Sequence, residues 1–277
     1  MTQTNQGMTP LEQAAEWLKR EYGNIPNGGF QIPINGVDTG VMVTDGVITI
    51  RGPIEKKPTP AEKFLRYALR IGAVELFPAG QERKLKSGRM SPYFFNSGHF
   101  NTGESVTYLA EAYAEAAKGT FKPEVIYGPA YKGIALAVAV AQAFGGDVGY
   151  AHNRKEAKDH GDGGIIVGMP LAGKQVLIVD DVMTTGTSSG EAVDIVRMQE
   201  GIPLGCVIGF DRQERGKDGG LSAVQEFEKN YGIPVRAAAT LTDLILLLEK
   251  TTPESGDDNV GEMLERIRAY QREYGVS

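Results

Sequence analysis

VLIVDDVMTTGTSSG, residues 176–190, is the stretch on which the reading of this chain turns. Four apolar residues run into two adjacent acids, and the acids open onto threonines, a glycine and serines. A short unbroken apolar run of this kind reads as a strand buried on both faces. SGEAVDIVRMQEG, starting at Ser189, reads as the helix that follows. In an open α/β sheet ligands bind beyond the carboxyl ends of the strands, so Asp180, Asp181 and the loop behind them mark a site. That loop runs through Val182, Met183, Thr184, Thr185, Gly186, Thr187 and Ser188. Its hydroxyls, its glycine and the free N–H groups at the helix start suit a phosphate. The lysine of a nucleoside triphosphate loop is missing, which disfavours that ligand. Two carboxylates beside a phosphate make chemical sense when a ribose lies between them. Its hydroxyls donate to the acids and its 5′-phosphate enters the loop. The same acids could attract Mg²⁺ or favour positive charge developing on a sugar carbon.

Working outward, the pattern on both sides is strand and helix in alternation. EVIYG precedes IALAVAVAQAF, and DVGYAHN precedes QVLIVDD. PLGCVIGFDR, LSAVQEFEKNYG, PVRAAATL and TDLILLLEK continue it, and GEMLERIRAYQREYG supplies a last amphipathic helix. Such alternation predicts parallel βαβ units in one doubly wound α/β domain, a mainly parallel sheet with helices on both faces. AEKFLRYALRIGAV, with Phe64, Leu65, Ala68 and Ile71 at helical spacing, opens the domain at about residue 59. PIEKKPTP, residues 53–60, reads as a linker. Residues 1–58 are therefore expected to form a small α+β appendage. Its helix starts at a Thr9/Glu12 capping box with Leu11, Ala14, Ala15, Leu18 and Tyr22 as the apolar face, and Asp45-Gly46 centres a hairpin. No recognisable site falls within the appendage.

The chain has 277 residues and a net charge of -6, enough for a real core and weakly against bulk nucleic-acid binding. No apolar run approaches the roughly 20 residues of a membrane helix, and MTQTNQGMTP lacks the marks of a secretory signal. Cys206, the single cysteine, reads as a small buried strand residue. A cytoplasmic protein is the expectation. The histidines, His99, His152 and His160, form no metal cluster with it in the sequence, and His99 and His152 read as structural.

VLIVDDVMTTGT resembles the signature of the type I phosphoribosyltransferases, which bind phosphoribosyl pyrophosphate (PRPP). Purine and pyrimidine enzymes, PRPP synthetases and some regulators share that signature. Further stretches narrow the resemblance. KSGRMSPYFFNSGHFNTG (residues 86–103), GPAYKG (128–133), NRKEAKDHGDGG (153–164) and FDRQERG (210–216) are similar to segments of the orotate phosphoribosyltransferases, in the same order. The likeness spans residue 60 to the end and leaves out the first 58 residues.

The resemblance implies a glycosyltransferase of pyrimidine biosynthesis. It would take orotate and PRPP with Mg²⁺ carried by PRPP, and it would work as a homodimer. It implies that Lys132, with Tyr131 and the surrounding backbone, binds the pyrophosphate end of PRPP. Lys86 reaches the substrates, and Phe94 and Phe95 belong to the segment covering the pyrimidine. The 153–164 loop, with Arg154, Lys155, Lys158 and His160, closes on the neighbouring subunit's site. Unaided chemistry is compatible with each: cations on a lid suit a leaving polyanion, and Arg212 at a strand end could grip a carboxylate bidentately. On a strand Phe94 and Phe95 face opposite ways, so one of them belongs to the core. A purine-specific transferase is disfavoured by SPYFFNSG and FDRQERG. An RNA-binding regulator is disfavoured by the acidic balance and the intact lid. A fused decarboxylase barrel has no room.

Overall fold

Thr9 opens the first helix through a reciprocal cap. Its hydroxyl accepts the Glu12 amide at 3.3 Å, and Glu12 accepts the Thr9 amide at 2.8 Å. The structure is a computed structural model that describes residues 8–53, 57–158, 164–183, 186–216, 220–255 and 258–276. It divides into two units, Met1–Pro58 and Thr59–Ser277.

In the first unit, α1 (Pro10–Tyr22) covers an antiparallel sheet of β1 (Gly28–Ile34), β2 (Val37–Thr44) and β3 (Val47–Pro53). Both hairpins turn on two residues with positive φ, Asn35-Gly36 at 51° and 79° and Asp45-Gly46 at 50° and 80°. Those angles give the twist that two-residue hairpins need. Ala14, Leu18, Ile32, Ile34, Val41 and Val43 make the core. Two expectations need correcting. The appendage holds a third strand, β1, beside the expected hairpin, and the apolar face of α1 excludes Leu11 and Tyr22, which are 48% and 51% exposed. Gln13 is buried instead, because the Asn35 turn gives it partners: its amide donates to Asn35 Oδ1 at 2.9 Å and to the Met8 carbonyl at 3.0 Å.

The second unit begins with α2 (Pro60–Arg70), capped by the Thr59 hydroxyl. Short strands follow: β4 (Val74–Leu76), β5 (Arg83–Lys84), β6 (Met90–Ser91) and β7 (Tyr93–Phe95). Then come α3 (Gly103–Ala117), β8 (Val125–Tyr127), α4 (Lys132–Phe144), β9 (Gly149–Lys158) and β10 (Gly164–Gly168). β11 (Gln175–Val182), α5 (Thr187–Met198), β12 (Ile202–Asp211), α6 (Ala223–Tyr231), β13 (Val235–Thr240), α7 (Leu241–Ser255) and α8 (Asp258–Tyr274) complete the unit.

The main sheet runs β10-β9-β8-β11-β12-β13, with every pair parallel except β10 on β9. β11 lies at its centre and is buried on both sides. Leu177 and Val179 enter one core with α2, α3, α4, α7 and α8, while Val176 and Ile178 enter the other with α5 and α6. That two-sided burial is why VLIV reads as an unbroken apolar run. The helix after β8 goes to one face and the helix after β11 to the other. Between these neighbouring strands the chain therefore parts and leaves a crevice at their carboxyl ends.

The sheet differs from expectation in two places. NRKEAKDHGDGG is not loop throughout: β9 continues to Lys158, and β10 pairs back on it with Gly164 opposite Lys158. An available antiparallel partner, GIIVG, overrides the poor strand propensity of charged residues. α3 was not expected as an element.

Candidate active site

Three motifs meet at one carboxylate oxygen in that crevice. Asp181, the second acid of β11, accepts at Oδ2 from Lys132 Nζ at 2.7 Å and from Ser97 Oγ at 3.0 Å. Lys132 stands at the start of α4 in GPAYKG, and Ser97 opens a short 3₁₀ turn in SPYFFNSG. Oδ1 of Asp181 accepts its neighbour's amide, Val182 N, at 2.9 Å, which fixes the carboxylate's rotation. Ser97 was no candidate from sequence, although it lies in a segment that the resemblance singles out.

Asp180 behaves differently. It points into the α5 face, is 7% exposed, and accepts from Ser189 Oγ at 3.2 Å and from the Asp181 amide at 2.9 Å. Burial pushes its carboxyl above the ordinary carboxylate range, and the charge of Asp181 adds to the rise. Its carbonyl accepts the Tyr113 hydroxyl at 2.8 Å. The pair expected to share one role thus divides, with Asp181 at the crevice and Asp180 tied to the first turn of α5. Ser189, which ties it, was likewise not singled out.

The phosphate loop has the expected form where it is described. Gly186 takes φ 70° at the N-cap of α5 and brings no capping side chain, so the positive end of that helix faces the loop. Thr187 and Ser188 are exposed there, and Val182 is half-buried. The Met183 side chain lies in the core, 8% exposed, leaving only its backbone for a ligand. Thr184, Thr185 and His160 lie outside the described residues. In GPAYKG, a Cβ on Gly128 would sit 1.9 Å from the Gly133 carbonyl oxygen, so the turn closes only with glycine at that position. Asn153 Oδ1 accepts the Ala130 amide at 2.9 Å, and Tyr131 is 70% exposed.

Lys86 is exposed in the β5–β6 turn, Arg154 is half-buried on β9, and Lys155 and Lys158 belong to that strand by backbone. Phe95 is core, stacked on Phe210 with centroids 5.7 Å apart. Phe94 faces the other way, under the Arg83 guanidinium at 3.9 Å. His99 contacts the Ile71 carbonyl at 3.3 Å, His152 the Asn153 carbonyl at 3.2 Å, and Cys206 is fully buried in the sheet.

Arg212 corrects an expectation. One edge of its fork is already taken by a carboxylate of its own chain, Nε lying 2.8 Å and Nη2 2.5 Å from Glu214 Oε1. Nη2 also donates to Ser91 Oγ at 3.0 Å, and the Tyr93 ring lies 4.4 Å beneath the guanidinium. That edge is therefore occupied from within the chain.

A hollow of about 910 Å³ lined by Phe64, Tyr108, Phe121 and Phe144 lies away from Asp181, and one of about 250 Å³ adjoins the phosphate loop, lined by Gly186, Thr187, Glu191 and Tyr231. Among the described residues no group of three or more His, Cys, Asp or Glu side chains could hold a metal ion.

A parallel sheet with a capless phosphate loop behind two acids, faced by a lysine turn, defines a type I phosphoribosyltransferase. The family model for the phosphoribosyl transferase domain matches residues 102–236. The orotate phosphoribosyltransferase of Neisseria meningitidis serogroup C (strain 053442) is 46% identical over 219 residues, covering 78% of this chain and 97% of its own. That of Nitrosococcus oceani is 51% identical over 197 residues, covering 69% and 86%. The crystal structure of the Francisella tularensis orotate phosphoribosyltransferase is 34% identical, covers 77% of this chain and all of its own, and superposes with a TM-score of 0.66. The chain belongs to the orotate phosphoribosyltransferase family.

Proposed function

We propose that the chain transfers ribose 5-phosphate from PRPP to orotate, giving orotidine 5′-monophosphate and pyrophosphate in pyrimidine biosynthesis. The observation that carries this is the meeting of Ser97, Lys132 and Asp181 at one oxygen. It joins SPYFFNSG, GPAYKG and the second acid of VLIVDD, the segments to which this reading gives the pyrimidine, the pyrophosphate and the ribose. The 5′-phosphate rests against the N-terminus of α5, with the ribose hydroxyls donating to Asp181. Asp180, held by Ser189, fixes the path of the loop.

In the reaction the bond from the anomeric carbon to the pyrophosphate oxygen breaks, and its electron pair leaves with pyrophosphate. The ring nitrogen of orotate, once its proton has been given up to solvent, supplies the pair for the new bond, so no strong base on the protein is needed. Lys132, Arg154, Lys155, Lys158 and His160 neutralise the leaving group. Asp181 faces the sugar as positive charge grows there. Lys158 and His160 serve the neighbouring subunit of a homodimer, and the enzyme works in the cytoplasm on small molecules and not on nucleic acid. Among the described residues no helix is long and apolar enough to cross a membrane.

The donor set suits Mg²⁺ that arrives with its substrate. Two carboxylates, each already hydrogen-bonded, make no cage, but one or two acids plus substrate phosphates are how Mg²⁺ is usually held. PRPP would carry it, with Asp181 beside it at the crevice, and it would supply charge neutralisation to the pyrophosphate.

Pyrophosphate release from PRPP and Mg²⁺, with orotate, uracil, adenine, guanine and hypoxanthine tried separately, tests the proposal. Turnover with orotate alone is expected. Turnover with another base overturns the substrate, and binding of PRPP without turnover of any base overturns the reaction.

A further inference from the structure

Glu214 has no part in the chemistry above, yet it is the hub of a half-buried network beside it. Its Oε1 accepts from Arg212 Nε at 2.8 Å, Tyr270 OH at 3.0 Å and, more weakly, Tyr93 OH at 3.4 Å. Oε2 faces Arg89 Nη1 at 3.2 Å. The side chains of Glu214, Arg212 and Arg89 are 11%, 15% and 20% exposed. Two guanidiniums therefore surround one carboxylate, which leaves a positive charge unbalanced in poorly hydrated surroundings. An unpaired charge in such a place is costly, and a second anion relieves it.

The network also fixes where that anion binds. Glu214 holds the Nε–Nη2 edge of Arg212, Ser91 takes the other Nη2 donor, and Tyr93 covers one face. Nη1 is the nitrogen that neither Glu214 nor Ser91 takes. Glu214 itself is not free to swing away. Its backbone bridges Gly275, the next amide, Arg215 N, donates to the Tyr274 carbonyl at 2.8 Å, and the Gln213 carbonyl accepts Val276 N at 2.9 Å. Arg89 is pinned in turn, through Nη2 to the Arg215 carbonyl at 2.8 Å and over the Tyr274 ring at 4.8 Å.

We propose that Glu214, braced by Tyr270 of α8, is the positioning residue that presents Arg212 Nη1 to the carboxylate of the pyrimidine, and so sets the preference for a carboxylated base. The proposal rests on Arg212 receiving orotate's carboxylate. It gives the C-terminal helix a direct part in substrate choice, through a side chain that need not touch the substrate.

The test compares orotate with uracil, the same ring without the carboxylate, as ligands of the full chain, using Glu214→Gln, Tyr270→Phe and Arg212→Met. Glu214→Gln keeps the shape but loses the charge that holds the fork. It should weaken orotate binding and raise its KM roughly tenfold or more, as loss of a charged hydrogen bond does. Uracil binding, PRPP affinity and kcat at saturating orotate should change little. Tyr270→Phe, which removes one hydrogen bond and keeps the ring, should move orotate the same way by a smaller factor. If Glu214→Gln does not fold, Tyr270→Phe decides. Arg212→Met leaving orotate affinity intact overturns the underlying role of Arg212. Arg212→Met abolishing the preference while Glu214→Gln and Tyr270→Phe keep it overturns the positioning role alone. An equal fall for orotate, uracil and PRPP shows a merely structural contact and also overturns it.

Discussion

Replacing Lys132 by alanine separates what a contact does for stability from what it does for chemistry. Lys132 Nζ lies 2.7 Å from Asp181, but its side chain is 69% exposed against 18% for the aspartate. An ion pair open to water on one side contributes about 0.2–1 kcal/mol to folding. For a unit of this size that is a fall in Tm of at most about 4 °C. Catalysis is another matter, because the same ammonium would face pyrophosphate as its charge develops. Losing one well-aimed group of this kind costs about 100- to 1,000-fold in rate, or roughly 3–4 kcal/mol. Differential scanning calorimetry and pyrophosphate release on the same preparation measure both numbers. A near-native Tm with turnover down at least 100-fold is expected, and Lys132→Arg should recover part of it. Turnover within about threefold of the parent, or a Tm lowered by more than about 8 °C, would refute the reasoning.

Asp180→Asn should change the pH dependence of stability. Burial raises the folded-state pKa of Asp180, so ionising it costs the folded chain more than the unfolded one, and stability drains away as pH rises from about 3.9 through that raised value. The asparagine variant should therefore gain on the parent in urea midpoint between pH 4 and 7, and a difference that is flat or shrinks with pH would contradict this. Gly128→Ala puts a methyl carbon 1.9 Å from the Gly133 carbonyl oxygen, backbone against backbone. Overpacking of that kind costs about 1–3 kcal/mol or more, so the urea midpoint should fall together with turnover, and an unchanged midpoint would show that the turn has slack. Lys158→Ala should lower kcat far more than PRPP affinity by isothermal titration, since its contact tightens only in the transition state, and equal losses in both would remove that role.

Much of the fold was legible because central strands buried on both faces must be apolar throughout. QVLIVDD and PLGCVIGF could hardly be anything else. The elements missed are those whose patterns carry little contrast. β10 is GIIVG, too short to show a period, and α3 is a run rich in alanine with weak sidedness. β1 contains Gly29 and Pro33, which argue against a strand, although Asn35-Gly36 directly after it was a readable hairpin signal. For the site, motifs disclosed the chemistry-bearing types, but which of them touch depends on contacts between distant segments. Asp180 and Asp181 are neighbours with opposite parity on β11, so the strand itself sends one to the α5 face and the other to the crevice. The Ser97–Asp181 bond and the grip of Glu214 and Tyr270 on Arg212 join residues that no local pattern relates.

The strand order β9-β8-β11 also bears on how the chain comes to be active at all. Val125 of β8 pairs with Val176 of β11, so closing the seam under the crevice brings together strands that the α4 crossover and the β9–β10 ribbon separate in the sequence. Pairing of such sequence-distant partners is slow, because the loss of chain freedom comes before any contact is gained. Lys132 and Asp181 stand on opposite sides of that seam. A chain still emerging from the ribosome, or one stalled with local helices formed, would hold each motif intact and yet have no site. The substrates therefore encounter the assembled crevice only after segments distant in the sequence have paired.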